Sequence, residues 1–114
     1  MAITRFAETV WNGDLMSGSG SINYVSSGSF TRLPVTWASR TEAHDGRTSP
    51  EELIASAHSS CFSMAFSGAL ARNGTPATRL DVKAVVTFDK TDAGWRITKS
   101  DLTVSGVVPG LDQA

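Results

Sequence analysis

Ser49-Pro50-Glu51-Glu52-Leu53-Ile54-Ala55-Ser56-Ala57-His58-Ser59-Ser60-Cys61-Phe62-Ser63-Met64-Ala65 is the stretch on which the fold turns. Ser49 stands where a helix N-cap belongs, Pro50 at the first helical position, and Glu52 three residues after the cap, a capping box with a proline start. The pattern predicts a helix running to about Arg72 and stopped by Asn73-Gly74, with Pro76 beyond. Ile54, Ala57, Cys61, Met64, Ala65 and Gly68 recur at spacings of three and four, so they share one face. Leu53, Phe62, Phe66 and Leu70 lie on other faces among Ala and Ser. A helix that is small and apolar on most sides is expected at the centre of a packed fold.

The segments on either side read as strands. After the helix, Leu80, Val82, Ala84, Val86 and Phe88 alternate with Asp81, Lys83, Val85 and Thr87. A turn at Asp92-Ala93-Gly94 leads into Trp95 to Lys99 and then Leu102-Thr103-Val104, a long antiparallel hairpin with one face for a core. Before the helix, residues 1 to about 38 read as strands and turns. Thr4 to Trp11 partly alternates and stops at Asn12-Gly13, a hairpin turn signal. Met16 to Phe30 is rich in Gly and Ser, but Ile22, Tyr24 and Val25 recur through it, which favours a Gly-rich hairpin over a linker. Asp112 would cap a further helix, and the sequence stops two residues later.

Composition narrows the functional classes. The chain has 114 residues, the size of one small domain. Its formal charge of -1, with no run of like charge, gives no electrostatic case for nucleic acid or an anionic membrane. Leu53 to Ala71 is interrupted by His58 and several serines and reads as too polar to span a bilayer. The first residues lack a basic segment followed by an apolar core, so no secretory signal is read. A single cysteine excludes an internal disulfide framework and paired-cysteine zinc patterns. Together these features fit a reducing cytoplasm.

Cys61 is therefore the residue to weigh. In mid-helix it lies beyond the reach of the N-terminal dipole, so any activation must come from side chains: Arg40, Arg47, His44 or His58. By periodicity alone it reads as a small packed hydrophobe, as free cysteines usually are. His58, one turn earlier, could act as a general base or be a histidine with an ordinary hydrogen-bond partner. Glu51 and Glu52 suit the helix start, Arg40 reads as a solvated charge, and Trp11, Trp37 and Trp95 read as core or interface residues.

The helix nonetheless resembles, strongly, the Pro-Glu-Glu-Leu…Ala-His…Cys-Phe-Ser-Met helix of the OsmC family, the osmotically inducible, peroxiredoxin-like hydroperoxide reductases of bacteria. Trp11-Asn12-Gly13-Asp14-Leu15 resembles that family's opening, and Arg40-Thr41-Glu42 its arginine-containing loop. Asp89 to Gly94 with Ile97-Thr98-Lys99 resembles its later hairpin, and Val108-Pro109-Gly110-Leu111-Asp112 the lead-in to its C-terminal helix. The absence of arginine between Asp14 and Phe30 points to the OsmC branch rather than the organic-hydroperoxide-resistance branch.

The resemblance implies an α+β fold, with antiparallel sheets wrapping a central long helix in an intertwined homodimer. It implies one OsmC-like domain over residues 1–114, expected to lack the family's C-terminal helix, last strand and resolving cysteine. The implied activity is that of a cytoplasmic thiol peroxidase in oxidative and osmotic stress defence. It would reduce organic hydroperoxides, with hydrogen peroxide as a second substrate, to alcohols through a cysteine sulfenic acid. Cys61 matches the nucleophile, Arg40 the arginine that holds the thiolate and orients the peroxide, and Glu51 the glutamate that pairs with it, with Arg47 as fallback for the arginine. No bound cofactor or metal is implied. The reductant would be an external dithiol, a lipoyl-bearing protein among the candidates. The alternative is a non-catalytic dimeric stress or small-molecule-binding protein whose cysteine merely packs.

Overall fold

A computed structural model describes residues 1–111. The architecture is mixed α and β, with two antiparallel sheets and one long helix, in the order β1 (Ala7–Asn12), β2 (Ser19–Val25), β3 (Leu33–Val35), α1 (Trp37–Thr41), α2 (Pro50–Arg72), β4 (Arg79–Thr91) and β5 (Gly94–Val107). The chain gathers into two compact units, Met1–Pro50 and Glu51–Ala114.

In the first unit β1, β2 and β3 form a sheet in sequence order. The Gly-Ser stretch is an ordered strand, as its recurring apolar residues suggest, and Ile22 at 8% exposure is the buried hydrophobe of this unit. The turn after Asn12 is longer than the two residues that Asn-Gly favours. Asn12 still pairs with Ser19, and the intervening loop is organised by Asp14, whose Oδ1 accepts from the Ser17 amide at 2.8 Å and the Ser17 hydroxyl at 2.6 Å. Both bonds favour the ionised carboxylate, so the Asp14 pKa lies below its ordinary value, the side-chain bond being the larger cause. Opposite Gly20 stands Trp11, and a Cβ at position 20 would lie 2.6 Å from the indole. Glycine is what lets that ring lie over β2.

The chain then makes a helix where an arginine-containing loop was expected. Thr36 caps α1: its Oγ1 accepts from the Ser39 amide at 3.0 Å, and Ser39 Oγ accepts from the Thr36 amide at 3.1 Å. This reciprocal box gives a five-residue helix the end contacts it cannot supply from its own length.

In the second unit, α2 matches the bounds read from the sequence. Its end is a Schellman turn: the Thr75 amide donates to the Leu70 carbonyl and the Gly74 amide to the Ala71 carbonyl, each at 3.0 Å, with Gly74 at φ +80. Several serine hydroxyls turn back onto helix carbonyls, Ser56 to Glu52 at 3.0 Å, Ser60 to Ala57 at 3.1 Å and Ser63 to Ser59 at 2.7 Å. The β4–β5 hairpin runs in register from Arg79↔Val107 to Thr91↔Gly94, with a bulge at Thr87/Phe88. Phe88 and Trp95 stack at 5.0 Å near its turn. The alternation along β4 is visible as half-buried Leu80, Val82, Ala84, Val86 and Phe88, whereas most of β5 is exposed.

The expected long helix is present, but within this one chain it is not tightly packed on all sides. A half-buried or buried stripe runs through Glu51, Ala55, His58, Phe62, Phe66 and Leu70, with Leu70 only 5% exposed. The face carrying Ile54, Ala57, Cys61, Met64 and Ala65 is exposed, Met64 at 72%. Two apolar faces need two sets of cover, and a two-stranded hairpin is too narrow to supply both. By length and composition α2 reaches what a membrane crossing needs, against the expectation that its histidine and serines make it too polar. A side-chain bond, described below, ties it to β5.

Candidate thiol site

Cys61 is exposed, on the open face of α2. Within this one chain it does not pack as periodicity suggests: the stripe of threes and fours is real, but it is the stripe this chain leaves uncovered.

Glu51 lies in the first turn of the same helix and is buried, at 8% exposure. The free amides of the helix start favour a carboxylate there. Glu51 and Cys61 are ten residues apart in sequence, about 15 Å along the axis at 1.5 Å per residue, so within one chain they do not touch.

Arg40 lies on α1, half-buried and in the other compact unit, rather than in a solvated loop. Its guanidinium carbon sits 5.8 Å from the centre of the Trp37 ring, within range of a cation–π contact. Beside it is a cavity of about 340 Å³ lined by Trp11, Leu15, Val35, Thr36, Trp37, Pro50 and Arg40, its one charged side chain. That volume is at the small end of ligand sites, and an apolar wall with a single cation is the usual make-up of a site for an organic group carrying one polar end. Arg47 pairs with Asp45 at 2.9 Å across a turn in which Asp45 and Gly46 have positive φ.

His58 is half-buried, with Nδ1 2.6 Å from Ser100 Oγ on β5. Both roles considered for it need a partner, and Ser100 lay out of sequence reach at 42 positions away. Trp11 and Trp37 as cavity walls were likewise missed. The signals available were Gly20, which clears space for one indole, and the Thr36-to-Ser39 spacing, which caps the helix carrying the other.

Residues 43–114 match the family model described as OsmC-like protein. The chain is 41% identical over 112 residues to peroxiredoxin OsmC of Escherichia coli strain K12, covering 98% of this chain and 77% of that protein. It is identical to the same extent, over the same coverage, to peroxiredoxin OsmC of Shigella flexneri. A family model spanning more than half of the sequence, and relatives this similar across nearly all of it, make the chain a member of the OsmC family.

Proposed function

We propose that this protein is a thiol-dependent peroxidase in which Cys61 reduces organic hydroperoxides, and hydrogen peroxide as a second substrate, to the corresponding alcohol or water. The observation that carries the proposal is that the chain belongs to the OsmC family and bears Cys61 on α2, where it matches the cysteine of that family's helix motif. The thiolate attacks the terminal peroxide oxygen; the S–O bond forms as the O–O bond breaks. The terminal oxygen stays on sulfur with its hydrogen as a sulfenic acid, and the alkoxide leaves to become the alcohol with the proton that the thiol gave up. The apolar cavity beside Arg40 favours an organic substituent over a bare peroxide.

Arg40 holds the thiolate and orients the peroxide, and Glu51 fixes Arg40 through a carboxylate–guanidinium pair. Since Glu51 stands about 15 Å from Cys61 along one helix, these groups meet Cys61 only if they come from a second copy of the chain. The exposed face with Ile54 and Met64 supports such an intertwined homodimer. No bound cofactor or metal is needed, because sulfur is itself the redox centre. An external dithiol, such as a lipoyl-bearing protein, returns the sulfenic acid to thiol. A reducing cytoplasm suits this cycle, with neither nucleic acid nor membrane as a partner, in defence against oxidative and osmotic stress.

Dimedone trapping after a pulse of cumene hydroperoxide tests the proposal. Wild-type protein should carry one adduct, on Cys61, and Arg40→Ala should slow its formation about 100-fold or more, as loss of a preorganised donor does. No adduct on a folded wild-type chain, or an equal rate in Arg40→Ala, would sink it.

A further inference from the structure

His58 stands at a seam. Going around α2 it is about 60° from Cys61 and one turn before it, with the half-buried stripe on one side and the open face on the other. Residues three apart on a helix are neighbours, about 5–6 Å between Cβ atoms, and a helical side chain leans towards the N-terminus. The Cys61 side chain therefore leans back over the turn that holds His58. On the other side, His58 Nδ1 is held at 2.6 Å by Ser100 Oγ, a half-buried hydroxyl on β5. Among the described residues the second ring nitrogen, Nε2, has no hydrogen-bond partner.

Peroxide reduction has a use for such a ring. When a thiolate displaces an alkoxide from an alkyl hydroperoxide, the departing oxygen is strongly basic and must gain a proton as the O–O bond breaks. The thiol, in turn, must first lose one. We infer that His58 carries that proton and that Ser100 is its positioning residue, an inference that rests on the peroxidase reading above. Nδ1–H donates to Ser100 Oγ, which keeps the lone pair on Nε2. Nε2 takes the proton from Cys61 Sγ, and the imidazolium gives it to the leaving RO oxygen. The sum is thiol plus ROOH giving sulfenic acid plus ROH; the proton ends on the alcohol, and no other reactant enters. Ser100 does not touch the substrate and acts only through the ring. Were the His58–Ser100 bond merely a tether between helix and hairpin, its loss would slow every oxidant alike.

The leaving group separates these cases. t-Butyl hydroperoxide expels an alkoxide that needs a proton, whereas peracetic acid expels acetate, which does not. Second-order rates of Cys61 oxidation would be measured by stopped flow for wild type, His58→Asn, His58→Gln and Ser100→Ala, with circular dichroism confirming the fold of each. Asparagine can keep the bond to Ser100 through its amide but has nothing at Nε2, so it preserves the tether and removes the carrier. General acid–base catalysis is typically worth 100-fold or more, so both His58 variants should lose about 100-fold more rate with t-butyl hydroperoxide than with peracetic acid, whose smaller loss reports only the deprotonation of Cys61 that both oxidants need. Ser100→Ala should show the same selectivity in weaker form, and it serves as the test should the histidine variants fail to fold. Equal losses with both oxidants, or no loss with t-butyl hydroperoxide, would overturn the role of His58 alone. A folded wild-type thiol inert to both oxidants would overturn the peroxidase reading, and this inference with it.

Discussion

A site shared between two chains can be tested by mixing two dead proteins. Cys61→Ser abolishes turnover because no nucleophile remains. Glu51→Gln loosens Arg40 and should cost about 2 kcal/mol, the value of a hydrogen bond to a charged group, or roughly thirtyfold in rate. In one chain these residues are ten positions apart on one helix, about 15 Å, whereas a side chain that steers the thiolate must come within about 4 Å of it. If each site takes its cysteine from one chain and its arginine–glutamate pair from the other, a mixed dimer contains one wholly intact site and one carrying both lesions. Refolding the two variants together in equal amounts gives mixed dimers as about half of the population, so activity should recover to about a quarter of wild type. The assay is dithiol-dependent consumption of cumene hydroperoxide by the parents, each refolded alone, and by the mixture. Repeating it with Arg40→Ala in place of Glu51→Gln asks whether Arg40 travels with Glu51. A mixture no more active than the average of its parents would refute the shared site, and so would a monomeric wild-type protein of full activity.

Two further outcomes follow from the first unit. Thr36→Ala removes the cap of α1 and should cost about 1 kcal/mol, read as a lower midpoint of urea denaturation, with Thr36→Ser close to wild type. Because α1 carries Arg40, the peroxidase rate should fall as well, while Cys61 stays present. Asp14→Asn should destabilise the chain at neutral pH. The folded-state pKa of Asp14 is below its ordinary value of 3.8, so its contribution is present above 3.8 and is lost as pH falls through the lower folded value. The gap in melting temperature between wild type and variant should therefore be open at neutral pH and close under acid; a gap independent of pH would assign it to another cause.

What the sequence made legible was what local rules govern. Ser49-Pro50 with Glu52, and Asn73-Gly74, fixed both ends of α2, because caps and stops are contacts among neighbours in the chain. The β4–β5 hairpin was readable because strict alternation and a two-residue turn ending at Gly94 are likewise local. The short helix α1 was not, since Trp37 to Thr41 is too brief for a periodic signal and depends on the Thr36–Ser39 box. Periodicity found the stripe through Cys61, but it gives the faces of a helix without saying which one its own chain covers. The His58–Ser100 bond was beyond reach for a simpler reason: a contact across 42 positions leaves no mark on the spacing of either residue. Cys61 itself was identified by motif, and the expected glutamate lies within the same motif at a distance that only the helix geometry makes meaningful.

The serines of α2 bear on how such a face changes its surroundings. The Ser56 and Ser60 side chains are exposed, yet each hydroxyl donates to a carbonyl of its own helix, at 3.0 and 3.1 Å. A hydroxyl that carries its acceptor with it loses little when water leaves, because its donor remains satisfied in the dry state. It also keeps the face small, so another backbone can come close, and it makes the helix less adhesive while it is still wet. The same residues can therefore meet solvent in a newly made chain and be sealed away later without a new partner for every hydrogen. Polarity here is reversible in its context, and a hydropathy scale, which assigns each serine one value, has no means of recording that.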